Sequence, residues 1–304
     1  MKRYEGKVRL VRGTDGRDGV RSAIEKPHEL CEAGQRADLQ AIVATHGLTR
    51  RFGTFTAVDH VDISVRPGEV FGLLGPNGAG KTTTIKMLVT LLPPTEGAAT
   101  VGGYDILRQA DEVRRLIGYV PQALSADGNM TGYENLMVFA KLYDVPRKEQ
   151  KARVEEALEF MGLAEAAHRM VRTYSGGMVR RLEIAQTLIH RPRVLFLDEP
   201  TIGLDPVARR AVWRHLEALR AQYGTTLFVT THYMEEAEEL CTRVAIMNRG
   251  RIVALETPEE LIRQTGRTEA TLEDAFRHFT GDSLDTGGSY REVRNVRRTA
   301  GRLR

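Results

Sequence analysis

VFGLLGPNGAGKTTT, residues 70–84, changes character twice within a single short stretch. Val70 to Leu74 is apolar apart from one glycine and reads as a buried strand. Gly75-Pro76-Asn77-Gly78-Ala79-Gly80-Lys81-Thr82 then fits G-x-x-x-x-G-K-[ST], and "TTTIKMLVTLL" continues as a helix that Pro93-Pro94 is expected to stop. The glycines let the backbone fold into a nest of N–H groups that face phosphate oxygens, and the helix N-terminus adds positive potential. Gly75 to Gly80, with Thr83 after them, are therefore candidate phosphate binders. Lys81 is placed to reach terminal phosphates, and the Thr82 hydroxyl to ligate Mg²⁺. A chance glycine-rich turn would not also sit between a strand and a helix.

A loop of this kind needs a carboxylate on a neighbouring strand end to complete the Mg²⁺ side. "VLFLDEP" supplies it: Asp198 follows four apolar residues and should emerge at the carboxyl edge of a sheet. Glu199 comes next and is a candidate to orient or deprotonate an attacking water. The rest of the pattern agrees with a sheet. "AVDHVDISV" alternates with Val61, Ile63 and Val65 inward, "IGYVP" and "TLFVTT" are strand-length, and "VAIMNRGRIVALE" reads as a hairpin around Asn248-Arg249-Gly250. Helices are expected at 178–190, 206–222 and 233–240, with a mostly helical stretch over about 123–174. In "TPEELIRQ", Thr257 is the expected N-cap, Pro258 the first helical residue and Glu260 the return arm of a capping box. Strands alternating with helices imply an α/β fold with a mainly parallel sheet covered on both faces.

The 304 residues suit one large α/β domain or two small ones, and 41% hydrophobic with 28% charged residues is a globular balance. No apolar run approaches the roughly 18–20 residues that span a bilayer, and "MKRYEGKVRL" has no secretory h-region, so a cytoplasmic protein is expected. Cys31 and Cys241 form neither a disulfide framework nor a zinc spacing. Residues 1–40 contribute +2 and 281–304 contribute +3 to a net charge of +4, which leaves the middle at about −1. The basic balance therefore belongs to the ends, and nucleic acid is not an expected partner. Residues 1–40 read as a weakly ordered charged extension, and "RNVRRTAGRLR" as a solvated basic tail or, alternatively, a segment that touches anionic lipid or a partner.

A second glycine pair stands in "YSGGMVRR", residues 174–181. Ser175 is adequate as a simple N-cap, because the following helix has its own core stripe of Met178, Leu182, Ala185 and Ile189. Gly176 and Gly177 nevertheless leave backbone donors uncovered by any Cβ, which makes a second anion site.

Here the residues match a family. The chain resembles the ATP-binding subunits of ABC transporters over about residues 43–265. It carries a Walker A loop at Gly75–Thr82, a Q-loop glutamine at Gln122, a signature loop at Ser175–Met178, a Walker B segment ending at Asp198-Glu199, a D-loop with Asp205 and a switch histidine at His232. The resemblance implies a P-loop NTPase: a nucleotide-binding domain over 41–265, an antiparallel β subdomain, a helical subdomain over about 123–190, and a C-terminal segment over 266–304. It implies ATP and Mg²⁺ as ligands, with Glu199, His232 and Gln122 catalytic and Thr82, Gln122 and Asp198 at the metal. Phe52 matches the position whose ring stacks on adenine, and Asp205 the residue that reports across a dimer. The family's domains pair head to tail, so that Ser175, Gly176 and Gly177 of one copy grip the γ-phosphate held by Lys81 of another. A second ATP-binding subunit and an integral-membrane permease are the implied partners, with the groove between helical lobe and Gln122 as the permease dock and the cytoplasmic membrane face as the location.

Tyr174-Ser175-Gly176-Gly177-Met178 departs from the commoner Leu-Ser-Gly-Gly-Gln, and with "TLEDAFRHFTG" at 271–281 it is similar to the subfamily of daunorubicin-resistance exporters. The rival reading is a soluble ABC-type ATPase acting on nucleic acid or the ribosome. Chromosome and repair ATPases of that type insert a long coiled coil, whereas Lys81 and Asp198 lie 117 positions apart here.

Overall fold

In the computed structural model, which describes residues 41–267 and 269–281, the chain builds two sheets. The extension expected over 1–40, Cys31 and the basic tail lie outside the described residues. The chain runs through β1 (Val43–Phe52), β2 (Phe55–Val65), β3 (Val70–Leu74), helix α1 (Lys81–Leu88), β4 (Glu96–Val101) and β5 (Tyr104–Asp105). Then come α2 (Ala110–Leu116), β6 (Ile117–Val120), α3 (Gly132–Leu142), α4 (Arg147–Phe160) and α5 (Gly176–Leu188). The remainder is β7 (Val194–Asp198), α6 (Pro206–Tyr223), β8 (Thr226–Thr231), α7 (Met234–Leu240), β9 (Arg243–Asn248), β10 (Arg251–Glu256), α8 (Pro258–Arg263) and α9 (Leu272–Thr280).

One sheet is antiparallel, in the order β2-β1-β4-β5; the other runs β10-β9-β3-β8-β7-β6. In the second sheet every pairing is parallel except the β9–β10 hairpin. Neighbours in space are distant in sequence, because each parallel crossover must pass through a helix.

Alternation along the parallel strands divides the core in two. Val70 and Leu74 of β3, Leu195 and Leu197 of β7, Leu227 and Val229 of β8, and Val244 and Ile246 of β9 face the cluster shared with α3, α4, α5 and α6. Their neighbours Phe71, Leu73, Val194, Phe196, Phe228, Ala245 and Met247 face α1 and the antiparallel sheet. With both faces covered, β3 and β7 carry apolar side chains on both sides along most of their length, which is why they read as continuous runs rather than as alternation. Phe71, Phe228 and Phe196 form a ladder across β3-β8-β7 with ring centroids 5.2 and 5.3 Å apart, each such burial stabilising by about 1.5–3 kcal/mol.

Several boundaries differ from the sequence expectation. Helix α1 ends at Leu88 instead of continuing to the prolines. Thr90 adopts φ 65°, its N–H donates to Met87 O at 3.1 Å, and the Leu91 N–H donates to Lys86 O at 2.9 Å. That is a Schellman closure with threonine where glycine is usual, so no glycine marked it in the sequence. At α8, Thr257 does cap Glu260 N–H, but Glu260 spends its carboxylate on Arg263 and Gln264, and the capping box stays half-formed. Helix α5 begins at Gly176, two residues earlier than expected, and is buried on more than one stripe: Arg180, Glu183, Gln186 and Thr187 are as buried as Leu182 and Ala185. The hairpin at Asn248–Arg251 is as expected, its two loop residues Arg249 and Gly250 at φ 47° and 84° as a type I′ turn requires.

Candidate nucleotide site

Strands β3, β8 and β7 lie side by side and parallel, so the loops that follow them open at one edge of the sheet. Gly75–Gly80 leaves β3 there, Asp198-Glu199 closes β7, and His232 follows β8. Gly80 caps α1 at φ 110°, and a Cβ on it would fall 2.5 Å from Ala57 O. Neither the dihedral nor the space admits another residue.

The side chains converge into one hydrogen-bonded chain. Lys81 Nζ donates to Gly75 O at 2.6 Å and Pro76 O at 3.2 Å, and lies 3.1 Å from Glu199 Oε1. The other oxygen, Oε2, is 2.6 Å from His232 Nδ1. Both Lys81 and Glu199 are about 5% exposed. Burial is the largest influence on the Glu199 carboxyl and opposes its ionisation; the His232 hydrogen bond and the Lys81 charge together outweigh it, and the group titrates below its ordinary range. Glu199 also holds φ 51°, a left-handed conformation costing about 1–3 kcal/mol in a non-glycine residue. Its N–H is pinned by Thr230 through O at 3.2 Å and Oγ1 at 3.0 Å.

Thr82 Oγ1 donates to Asp198 Oδ1 at 3.1 Å, and Thr230 Oγ1 donates to the same oxygen at 2.7 Å. Thr82 and Asp198 thus present hard oxygens side by side where the loop opens. This donor set fits Mg²⁺, which takes one or two protein oxygens and fills its octahedron with phosphate oxygens and water. Among the described residues no group of three or more His, Cys, Asp or Glu forms a self-contained metal site.

A cavity of about 510 Å³ opens over this chemistry, lined by the loop 76–83, Gln122, Glu199, Ile202, Phe52, Phe55 and Ala57. The volume is in the range of small-ligand sites. Phe52 is 46% exposed at the rim, under the Arg50 guanidinium, and is not a core aromatic. Phe55, its cross-strand partner and more exposed still, is a lining residue that sequence reading missed. Exposed apolar residues at a β-turn carry no local signal of purpose.

Other expected residues lie elsewhere. Ser175, Gly176, Gly177 and Asp205 do not line this cavity. Ser175 caps α5 by accepting from Met178 N–H at 3.3 Å, and both Ser175 and Gly176 are exposed. Gly177 is buried against Ala208, and Gly176 lies near Leu204. Asp205 caps α6, accepting from Val207 and Ala208 N–H at 2.9 Å, and is also exposed. The signature segment and the Asp205 turn are therefore neighbours on one surface. His232 touches the site only through Glu199. Thr230 was missed because a threonine near the end of a β-strand looks like ordinary β propensity. Glu236 was missed too: buried on α7, it accepts from Thr201 Oγ1 at 2.6 Å and Thr231 Oγ1 at 3.2 Å and pairs with Arg209 at 3.3 Å, tying the segment after Glu199 to the strand end before His232.

A family model described as ABC transporter matches residues 58–202. The daunorubicin resistance ATP-binding protein DrrA3 of Streptomyces coeruleorubidus is 43% identical over 254 residues, covering 80% of this chain and 80% of that protein. "Probable multidrug ABC transporter ATP-binding protein YbhF" of Escherichia coli K12 is 41% identical over 80% of this chain, which spans 42% of YbhF's length. Among solved structures, the ATP binding subunit of an ABC transporter superposes with a TM-score of 0.70 at 28% identity, over 79% of this chain and 99% of that one.

Proposed function

This chain belongs to the ABC transporter family of ATP-binding proteins, and on that premise we propose that it hydrolyses ATP to power export of a drug or related compound through a separate membrane permease. One observation carries the reading. Lys81, Glu199, His232, Thr82 and Asp198 assemble half of a phosphate cage, while Ser175 and Gly176 stay exposed and outside the cavity, available to a second copy.

The mechanism follows from who holds what. Triphosphate entering the loop offers Lys81 more negative charge than Gly75 O, Pro76 O and Glu199 together, so Nζ turns to the phosphates and Oε1 of Glu199 is freed. His232 keeps Oε2, and with Nδ1 carrying the proton its ring orients Glu199 toward water. Glu199 accepts the proton as that water attacks in line. Thr82 and Asp198, with Gln122 at the cavity wall, would hold Mg²⁺, which neutralises charge on the β- and γ-phosphates. Phe52 stacks on the base. Ser175 and the Gly176 N–H of the second copy close on the γ-phosphate, and Asp205, beside them, faces the same interface.

The permease is expected on the helical segment. Val138 and Leu142 on α3 and Leu124 in the Gln122 loop are exposed apolar side chains of the kind that seek a partner. No helix among the described residues is long and apolar enough to cross a membrane, so the location proposed is peripheral, at the cytoplasmic face. The test is Glu199→Gln: Mg-ATP should drive this variant into a dimer visible by sedimentation, with turnover reduced by about 10²–10⁴-fold, as loss of a general base does. Hydrolysis at the wild-type rate removes Glu199 from the role. Stimulation of the wild type by one co-purifying membrane protein, and not by DNA or ribosomes, is the second expected result.

A further inference from the structure

The Gln122 loop has an unusual means of support. Residues 121–125 make no backbone–backbone hydrogen bond to the rest of the described chain. Two charged side chains of α5 take their place. Arg180 Nη1 donates to Pro121 O at 2.8 Å and Nη2 to Gln122 O at 3.0 Å. Glu183 Oε1 accepts from the Ser125 N–H, and from Ser125 Oγ at 3.2 Å. The two side chains pair with each other at 3.0 Å, each 2% exposed. One turn further, Gln186 reaches Asn135, whose Oδ1 accepts from Asp127 N–H at 3.0 Å. Arg180, Glu183 and Gln186 are spaced at three, one stripe of α5.

A buried ion pair stabilises a fold little, because desolvation offsets the attraction. This one is instead a bracket: its guanidinium grips one end of the loop and its carboxylate the other. The helix that carries the bracket begins at Ser175-Gly176-Gly177. The loop it grips presents Gln122 to the cavity above Lys81.

We propose that Arg180 and Glu183 are positioning residues that make the Gln122 loop and the Ser175–Gly177 segment one rigid body, so that occupancy of a chain's own nucleotide site sets the phosphate grip it offers to the second copy. This rests on the hydrolysis reading above. Nucleotide binding through Lys81 and Phe52 does not pass through the bracket; the placement of Gln122 and Ser175 does.

The experiment is a double-mutant cycle on Mg-ATP turnover by the full chain. Arg180→Met keeps the apolar stem and removes the grip. It is expected to lower kcat about tenfold while KM moves less than about threefold. Gln122→Ala should lower kcat similarly, and the double variant should be no slower than Gln122→Ala alone. Arg180→Lys, which reaches one carbonyl and not two, should recover part of the loss. Effects that multiply in the double variant, or a KM that rises in step with the fall in kcat, overturn the proposal. Should Arg180→Met not fold, Arg180→Met combined with Glu183→Met carries the same cycle, since it removes both grips and leaves no buried charge unpaired. A wild type that does not turn over Mg-ATP counts against the parent reading alone. The coupling is then read from amide exchange of dilute monomer: Mg-ATP should slow exchange at 122–125 and 175–178 together in the wild type, and at 122–125 only in Arg180→Met. An equal response at 175–178 in that variant overturns it.

Discussion

Two partners divide the Glu199 carboxylate: Lys81 sits at Oε1 and His232 at Oε2. Its folded titration lies below its ordinary value of 4.5, and the sign of the linkage follows. A carboxyl held down in the fold contributes stability that is whole above the unfolded value and drains away as pH falls through the folded one. Glu199→Gln has no such contribution. The difference in unfolding free energy between wild type and variant, taken from urea midpoints, should be flat above about pH 5 and shift against the wild type below about pH 4.5. A difference that stays level across that range would mean Glu199 is not held by charge. Walker A and Walker B were legible as strings, so Lys81, Asp198 and Glu199 could be named from the sequence. The sharing of one carboxylate by a lysine and a histidine could not, because nothing local distinguishes a paired glutamate from a solvated one.

At the scale of elements, α5 and α6 meet at their N-termini, and the two signature glycines divide the labour. A Cβ on Gly177 would stand 2.8 Å from Ala208 Cβ, whereas one on Gly176 would find Leu204 at an ordinary 3.7 Å. Gly177→Ala should therefore cost about 1–3 kcal/mol by overpacking, measured by urea unfolding, and adding Ala208→Gly should restore much of it. Gly176→Ala should leave stability within about 0.5 kcal/mol, as an exposed helical position does, yet abolish ATP-driven dimerisation of Glu199→Gln. If both glycines prove equally costly to the fold, the division is wrong. The pair Gly176-Gly177 announced a helix start and a donor-rich surface. Which glycine is packed and which stays exposed depends on Ala208, thirty-one positions away.

Across the whole molecule, the parallel sheet belongs to both hydrophobic clusters at once, so neither should survive the loss of the other. Phe228 packs on the α1 face between Phe71 and Phe196, and Trp213, the single tryptophan, is buried in the cluster on the opposite face. Phe228→Ala should cost about 3–5 kcal/mol, and Trp213 fluorescence should report the same midpoint shift as far-UV circular dichroism. Separate transitions would show that the two faces fold independently. Much of this architecture is local in origin. Glycine spacing, apolar runs of strand length and the order of the motifs are properties of short windows, and they were enough for the α/β class, the phosphate loop and the Asp198-Glu199 edge. Three things were not: the order β3-β8-β7 that brings Lys81, His232 and Glu199 together, the packing of Gly177 on Ala208, and the Arg180–Glu183 bracket on the Gln122 loop. Each depends on which distant segments become neighbours. A parallel strand chooses its partner through a crossover, and a buried polar side chain acquires its role from a partner that no neighbouring residue specifies.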